Sequence, residues 1–142
     1  NKDIVEIINH VKNKKKSIKI FADTKKKDMT CFQDCFLKVN ENEYKVWQKK
    51  PSLCEIIVTL GVKGAMYKDK IYPANELNIN NVTQLGDRCG AGDTFLAGLI
   101  YCHSLGKSIS ECIKFANYCA SLSVKKVGVY YLKRSDIENL RI

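Results

Sequence analysis

The chain has 142 residues, of which 45% are hydrophobic and 27% charged, a balance that excludes disordered and fibrous proteins. No apolar run approaches the roughly 20 residues that a membrane-spanning helix needs, so no membrane partner is expected. The formal net charge of +9 indicates either an anionic partner or a solvated, lysine-rich surface, and since aromatic residues do not interleave with the lysines, specific nucleic-acid binding is not expected.

The first half of the chain predicts two helices and three short strands. Residues 2–15 carry apolar side chains at helical spacing, with lysine and glutamate on the opposite face. Apolar runs at 18–22 and 35–39 predict buried strands. A helix is expected over 41–48, and the β-branched residues of 54–60 predict a third strand.

Glycines separate the elements of the second half. Gly61 and Gly64 mark a turn, after which residues 65–72 predict a β-hairpin. A long helix opens at 90–93, and another carries a stripe of apolar residues from 109 to 120. The order of these elements continues the alternation of helices with extended segments.

The C-terminal segment is predicted to be extended over residues 127–132 and to enter a short helix at 135–138, where a serine and a glutamate have the spacing of a capping box. Helices that alternate with buried strands predict a layered α/β sheet. Because no repeat, linker or low-complexity segment interrupts the pattern, residues 1–142 are interpreted as one continuous portion of such a fold.

The cysteines bear on the cellular compartment. There are seven of them, and no two have Cys-x-x-Cys spacing, which argues against a disulfide framework and a zinc ribbon. Several lie on apolar helix faces, where a free cysteine behaves as a small hydrophobic residue. These features favour the reducing cytosol, so the protein is expected to be cytoplasmic.

The stretch DRCGAGDTF at residues 87–95 carries the most chemical information. Small residues at 90–92 let a phosphate approach the backbone, and the free amides of the following helix then point at that anion. Asp93 lies within reach of whatever those amides hold, which suits phosphoryl transfer. The alternative is a glycine-rich turn with Asp93 as an ordinary first-turn acid. A Walker A loop is absent.

This stretch resembles the signature of the PfkB family of carbohydrate kinases, in which Gly-Ala-Gly-Asp opens a helix. The resemblance covers nearly the whole chain. Further matches to family motifs occur at Asp23-Thr24-Lys25, at Asn40 with Glu43, at residues 58–64 (VTLGVKG), at Ala116-Asn117 with Ala120, and at residues 127–129. The motif spacing is most similar to that of the heptose-phosphate kinases of lipopolysaccharide biosynthesis.

The resemblance implies a catalytic set and a metal pair. Asp93 would be the general base toward a sugar hydroxyl, and the amides of Gly90, Ala91 and Gly92 would form the anion hole for the transferring phosphoryl group. Asn40 and Glu43 would help hold Mg²⁺ through ordered water. A helix cap with a first-turn acid is the compatible alternative for that pair.

The resemblance also implies a nucleotide-binding set for ATP. Thr59, Gly61 and Gly64 would border the nucleotide, Asn117 would lie beside the adenine or ribose, and Asp87 would belong to the same set. For Asn117 the alternative is a polar residue on a helix flank.

Several positions depart from the family pattern or have open roles. Val39 and Thr24 stand where the family usually has proline. Arg88 either adds a charge near the phosphates or points to solvent. Cys89 is either a small packing residue or a thiol at a helix N-terminus, and Lys25 is a candidate phosphate contact.

The resemblance implies the C-terminal portion of a ribokinase-like layered α/β fold that transfers a phosphoryl group from ATP to a sugar or sugar-phosphate hydroxyl. In the family, an N-terminal half supplies most of the sheet and nearly all sugar contacts. The chain is therefore expected to need that half or to associate with itself. The alternatives are a nucleotide-binding fragment without turnover and a basic interaction scaffold.

Overall fold

The computed structural model describes residues 2–74, 90–124 and 131–138, without the side chains of Lys2 and Ile4. The chain divides into two compact units, one of Asn1–Leu60 with Met66–Lys70 and one of Gly61–Ala65 with Ile71–Ile142. Within the described ranges, no helix combines the length and the apolar character that crossing a membrane requires.

The first unit contains the two helices and the three strands that the sequence predicts. Its elements in chain order are α1 (Lys2–Lys14), β1 (Ile20–Asp23), β2 (Cys35–Asn40), α2 (Glu41–Lys45) and β3 (Glu55–Thr59).

Helix α2 ends three residues before the predicted position at 48. After Lys45 the chain leaves the helix, and the amide of Gln48 donates to the carbonyl of Lys27 at 3.0 Å. This turn places the Trp47 side chain in the core of the unit. Burial of an indole ring thus overrides the local preference of residues 46–48 for a longer helix.

The three strands of the first unit pair in parallel, with Ile20 opposite Cys35 and Asn40 opposite Thr59. The carboxyl ends of parallel strands meet at one edge of a sheet, which is where α/β proteins bind ligands. The register therefore places Asp23, Asn40 and Thr59 along that edge.

A β-hairpin extends the sheet. Strands β4 (Ala65–Tyr67) and β5 (Lys70–Tyr72) complete the five-stranded order β1-β2-β3-β4-β5. Lys68 and Asp69 have φ of 47° and 60°, the left-handed pair that a tight two-residue hairpin turn requires. The predicted hairpin and the α/β class are confirmed.

The core of the first unit lies against β2. Helix α1 buries Ile8 at 8% exposure but leaves Ile7 62% exposed, so its apolar stripe is narrower than the helical spacing predicts. The other fully or nearly buried members are Met29, Phe32, Cys35, Leu37, Val39, Trp47 and Val58.

The second unit contains the long helices α3 (Ala91–Ser104) and α4 (Ile109–Val124), which pack against each other. They approach closely at Gly98, where an added Cβ would lie 2.8 Å from the Sγ of Cys119. Helix α4 begins with a capping box, in which the Ser108 amide donates to Glu111 at 2.9 Å and the Glu111 amide donates to the Ser108 hydroxyl at 3.3 Å. Both predicted helices are confirmed.

The short C-terminal helix α5 (Arg134–Glu138) begins one residue earlier than the predicted 135–138. The third residue of α5, Asp136, accepts the amide of Lys133 at 2.8 Å. Asp136 therefore takes the place in the first turn that the sequence predicts for Glu138. The predicted extended segment 127–132 lies largely outside the described residues.

Candidate active site

Helix α3 opens at a backbone conformation that favours glycine. Gly90 precedes the helix with φ of 83° and has no side chain with which to cap it. The first helical hydrogen bond is donated by the Thr94 amide to the Gly90 carbonyl at 2.8 Å. The amides of residues 91–93 therefore precede the helical hydrogen-bond ladder, and such amides together with the helix dipole form an anion-binding end.

Asp93 is the third residue of α3 and is exposed to solvent. An acid in the first turn interacts favourably with the helix dipole, so the structural alternative for Asp93 holds. Its exposure also leaves the carboxylate accessible to an acceptor hydroxyl, and the two interpretations coexist. Asp87, Arg88 and Cys89 lie outside the described residues, so this end of the site begins at Gly90.

The glycine loop of the second unit is a single 3-10 turn at Gly61–Lys63. The Gly64 amide donates to the Gly61 carbonyl at 3.0 Å, and both glycines have positive φ, 61° and 97°. At Gly64 an added Cβ would lie 2.1 Å from the carbonyl oxygen of Tyr72. Only glycine fits there, because the backbone after β5 lies directly against it.

Asn117 lies in the interior of the second unit. It is 5% exposed, and its Nδ2 donates to the carbonyls of Tyr72 at 2.9 Å and Pro73 at 3.2 Å. The side chain is therefore a buried, hydrogen-bonded group of α4. Its predicted place beside the adenine or ribose stays a prediction.

The first unit brings together three predicted residues at the carboxyl edge of its strands. Asn40 and Glu43 form a reciprocal capping box for α2, in which Asn40 Oδ1 accepts the Glu43 amide at 2.8 Å and Glu43 Oε2 accepts the Asn40 amide at 2.9 Å. Thr59, opposite Asn40 in the register, donates its hydroxyl to the Val39 carbonyl at 3.2 Å. The helix-cap interpretation of the pair is confirmed.

This pair fits a magnesium ion that keeps most of its own water. Its one carboxylate belongs to Glu43, and the capping box uses only the Oε2 oxygen of that group. Among the residues that the structure describes, no three His, Cys, Asp or Glu side chains form a cluster suited to a metal. Mg²⁺ often binds through one or two carboxylates together with waters and substrate phosphates, and the pair suits that mode.

Sequence reasoning missed Lys38 at this edge. Its Nζ bonds Asp23 Oδ2 at 2.6 Å on the neighbouring strand, and the residue is only 6% exposed. A signal was present, because a lysine interrupts an apolar strand two positions before Asn40. The pair places the buried ammonium of Lys38 beside the more exposed carboxylate of Asp23, whereas Lys25, the predicted phosphate contact, is exposed just beyond β1.

The fold and these motifs define a class of protein. The structure matches that of an Arabidopsis thaliana ribokinase solved with ribose and ATP, with a TM-score of 0.72 and 21% identity, over 97% of this chain and 52% of that one. A Thermotoga maritima ribokinase matches with a TM-score of 0.67 and 21% identity, over 91% and 50% of the two chains. The chain therefore has a ribokinase-like α/β fold.

Sequence comparison identifies the family. Residues 1–135 match the pfkB family of carbohydrate kinases, and the chain belongs to that family. The bifunctional protein HldE of Sulfurimonas denitrificans is 35% identical over 115 residues, which are 79% of this chain and 21% of that protein. HldE of Campylobacter concisus is 37% identical over 103 residues, again 21% of its length. The chain thus spans about a fifth of these relatives.

Proposed function

We propose that the protein transfers the γ-phosphoryl group of ATP to a hydroxyl of a sugar or sugar phosphate, and that this chain carries the nucleotide-binding and catalytic part. One observation carries the proposal: in a pfkB-family chain, a left-handed Gly90 opens a long helix with uncapped amides and places Asp93 in its exposed first turn.

The residues of α3 divide the chemistry between them. Asp93 orients the acceptor hydroxyl and accepts its proton, and in a loose transition state this proton leaves late, so orientation matters more than basicity. The amides of Gly90, Ala91 and Gly92 hold the charge that develops on the transferring phosphoryl group. Glycine at two of these three positions keeps side chains out of the phosphate's path.

The remaining residues hold the nucleotide. Mg²⁺, when bound, neutralises charge on the phosphates, and Glu43 with Asn40 orients its waters from the end of β2. Thr59, Gly61 and Gly64 border the nucleotide. Asn117 is assigned to the nucleotide-binding residues because it lies behind the loop of Gly61 and Gly64. Asp87 is assigned to them because it belongs to the motif at residues 87–95.

A phosphorylated sugar is the proposed acceptor. Relatives named HldE recur among the matches, in agreement with the resemblance to heptose-phosphate kinases. A net charge of +9 also favours an anionic substrate. We place the reaction in the cytosol, since seven cysteines without Cys-x-x-Cys spacing favour a reducing compartment. Most sugar contacts are assigned to parts of the protein outside this chain.

The experiment combines calorimetry with kinetics on the full-length protein. Mg·ATP is titrated into the wild type and into Gly92→Val and Asp93→Ala, and sugar phosphorylation is measured for Asp93→Asn. Gly92→Val is expected to abolish binding, because its side chain enters the anion site. Asp93→Ala should bind within about twofold of wild type, and Asp93→Asn should lose roughly 100-fold or more in kcat.

Three results would contradict the proposal. Near-normal turnover of Asp93→Asn removes Asp93 as the base. Normal Mg·ATP binding with no phosphorylation of any sugar or sugar phosphate by the wild type favours a nucleotide-binding protein without turnover. Polyanion binding that falls steeply with salt and ignores Asp93→Ala marks a basic scaffold instead.

A further inference from the structure

We infer that Asn117 is a positioning residue, which fixes the Gly61–Gly64 loop through the backbone of residues 72–74 and does not read the adenine base. The inference rests on the proposed function, because that function places the loop beside the nucleotide. It changes the role that the family resemblance implies for Asn117.

The side-chain amide nitrogen of Asn117 uses both of its hydrogens in hydrogen bonds to backbone carbonyls. Nδ2 has two hydrogens, and it donates to the carbonyls of Tyr72 at 2.9 Å and Pro73 at 3.2 Å. Bidentate recognition of adenine by an asparagine uses that same amide as a donor alongside its oxygen. With its nitrogen engaged and 5% of the residue exposed, Asn117 lacks the donor that this bidentate contact requires.

The backbone segment held by Asn117 lies directly against the loop. A Cβ on Gly64 would lie 2.1 Å from the Tyr72 carbonyl oxygen, 2.5 Å from the Ala74 nitrogen and 2.7 Å from the Pro73 carbonyl carbon. The Tyr72 oxygen thus accepts from Asn117 and also lines the surface against which Gly64 packs. Any shift of this segment moves the Gly64 backbone with it, because no side chain intervenes.

The Gly61–Gly64 loop is a single hydrogen-bonded turn, so a displacement of Gly64 also moves Gly61. The Gly64 amide donates to the Gly61 carbonyl at 3.0 Å across a single turn. A second hydrogen bond acts at the end of β5, where the Tyr72 hydroxyl and the Ser110 hydroxyl lie 2.8 Å apart. This hydrogen bond involves the side chain of Tyr72 and not its carbonyl, so a substitution of Ser110 is the matched control for a substitution of Asn117.

The first experiment measures the loop without any nucleotide. Amide hydrogen exchange is followed at residues 61–64 in wild type, Asn117→Asp and Ser110→Ala full-length proteins. Asn117→Asp removes the amide hydrogens at nearly constant shape, so exchange at the Gly64 amide is expected to rise about tenfold relative to amides in the middle of α3. Ser110→Ala should leave that ratio unchanged. An unchanged ratio in Asn117→Asp overturns the inference.

The second experiment separates positioning from base recognition. ATP, GTP and inorganic tripolyphosphate are compared by competition in wild type and Asn117→Asp, with Mg²⁺ present. A positioning residue predicts a similar loss for all three, about tenfold, because the loop is displaced whatever the base. A loss confined to ATP, a loss confined to the two nucleotides, or no loss overturns the inference.

The outcomes also separate the inference from the proposed function. A wild type that binds none of the three ligands refutes the proposed function, while hydrogen exchange still decides whether Asn117 fixes the loop. If Asn117→Asp does not fold, Asn117→Leu removes the donor without adding a charge and is held to the same two criteria.

Discussion

At the residue scale, Gly64 is constrained both by its backbone conformation and by its neighbours. Its φ is 97°, and an added Cβ would lie 2.1 Å from the Tyr72 carbonyl oxygen. Gly64→Ala is therefore expected to lower the free energy of unfolding by roughly 3 kcal/mol or more, because backbone atoms, unlike flexible side chains, cannot move aside cheaply. Urea unfolding followed by circular dichroism measures the change.

Gly106→Ala is the matched control for Gly64→Ala. Gly106 also has a positive φ, 76°, but nothing lies within 4 Å of its added Cβ. The Gly106→Ala variant should lose only about 1 kcal/mol of its free energy of unfolding, because only the backbone conformation opposes the substitution. Equal losses at the two positions would show that the backbone after β5 does not pack against Gly64.

The sequence predicted the position of single residues along the elements better than their contacts. It placed Gly90 at the opening of a helix and Asp93 in the first turn, and the structure confirms both positions, while their catalytic roles stay predictions. The double commitment of Asn117 was not predictable, since its partners Tyr72 and Pro73 lie far away in sequence. Lys38 was overlooked because its partner Asp23 is visible only once the strand register is known.

At the scale of the element, the two residues that cap α2 are also the residues proposed to hold magnesium. Asn40 and Glu43 cap this helix reciprocally, and glutamine at the third helical position can replace glutamate in a capping box. Glu43→Gln should therefore keep stability within about 0.5 kcal/mol, yet raise the Mg²⁺ concentration for half-maximal activity about tenfold. Thermal unfolding and Mg²⁺-dependent kinetics measure the two effects.

Asn40→Ala completes the comparison in α2. It removes the acceptor for the Glu43 amide, so it should lower the free energy of unfolding by about 1 kcal/mol. If Glu43→Gln leaves the Mg²⁺ requirement unchanged, the pair is a helix cap only, and the magnesium role belongs elsewhere.

Element existence followed from the sequence more closely than element ends. The strands β1 to β3 and the helices α3 and α4 were predicted because hydrophobic periodicity is a local property. The end of α2 was not, because burial of Trp47 is a tertiary effect. The first turn of α5 was misplaced because Asp136 and Glu138 are both acids that can accept a backbone amide there, and the sequence alone does not choose between them.

At the scale of the whole molecule, buried thiols are expected to make stability sensitive to alkaline pH. Burial raises the pKa of Cys112 and of Cys119 from 9.0 to about 12, and their side chains are 0% and 1% exposed. Burial also raises the pKa of Cys35, Cys54 and Tyr67. All five groups therefore keep their protons in the folded chain at a pH where the unfolded chain releases them.

The sign of the pH dependence follows from this proton balance. Above about pH 9 the unfolded state binds fewer protons than the folded state, so stability is complete below that pH and falls as the pH rises toward 12. For Cys112 and Cys119 together the loss is roughly 2 kcal/mol between about pH 9 and about pH 10. Chemical unfolding at each pH, in the presence of a reductant, measures it.

The double variant Cys112→Ala/Cys119→Ala tests whether these thiols are the cause. It should be less stable at neutral pH, because two buried sulfur atoms are removed from the α3–α4 interface, yet its stability should decline less steeply above about pH 9 than that of the wild type. Parallel declines in the two proteins would assign the alkaline sensitivity to other groups, of which Tyr67 is the first to test because its hydroxyl donates to Glu55 at 2.7 Å.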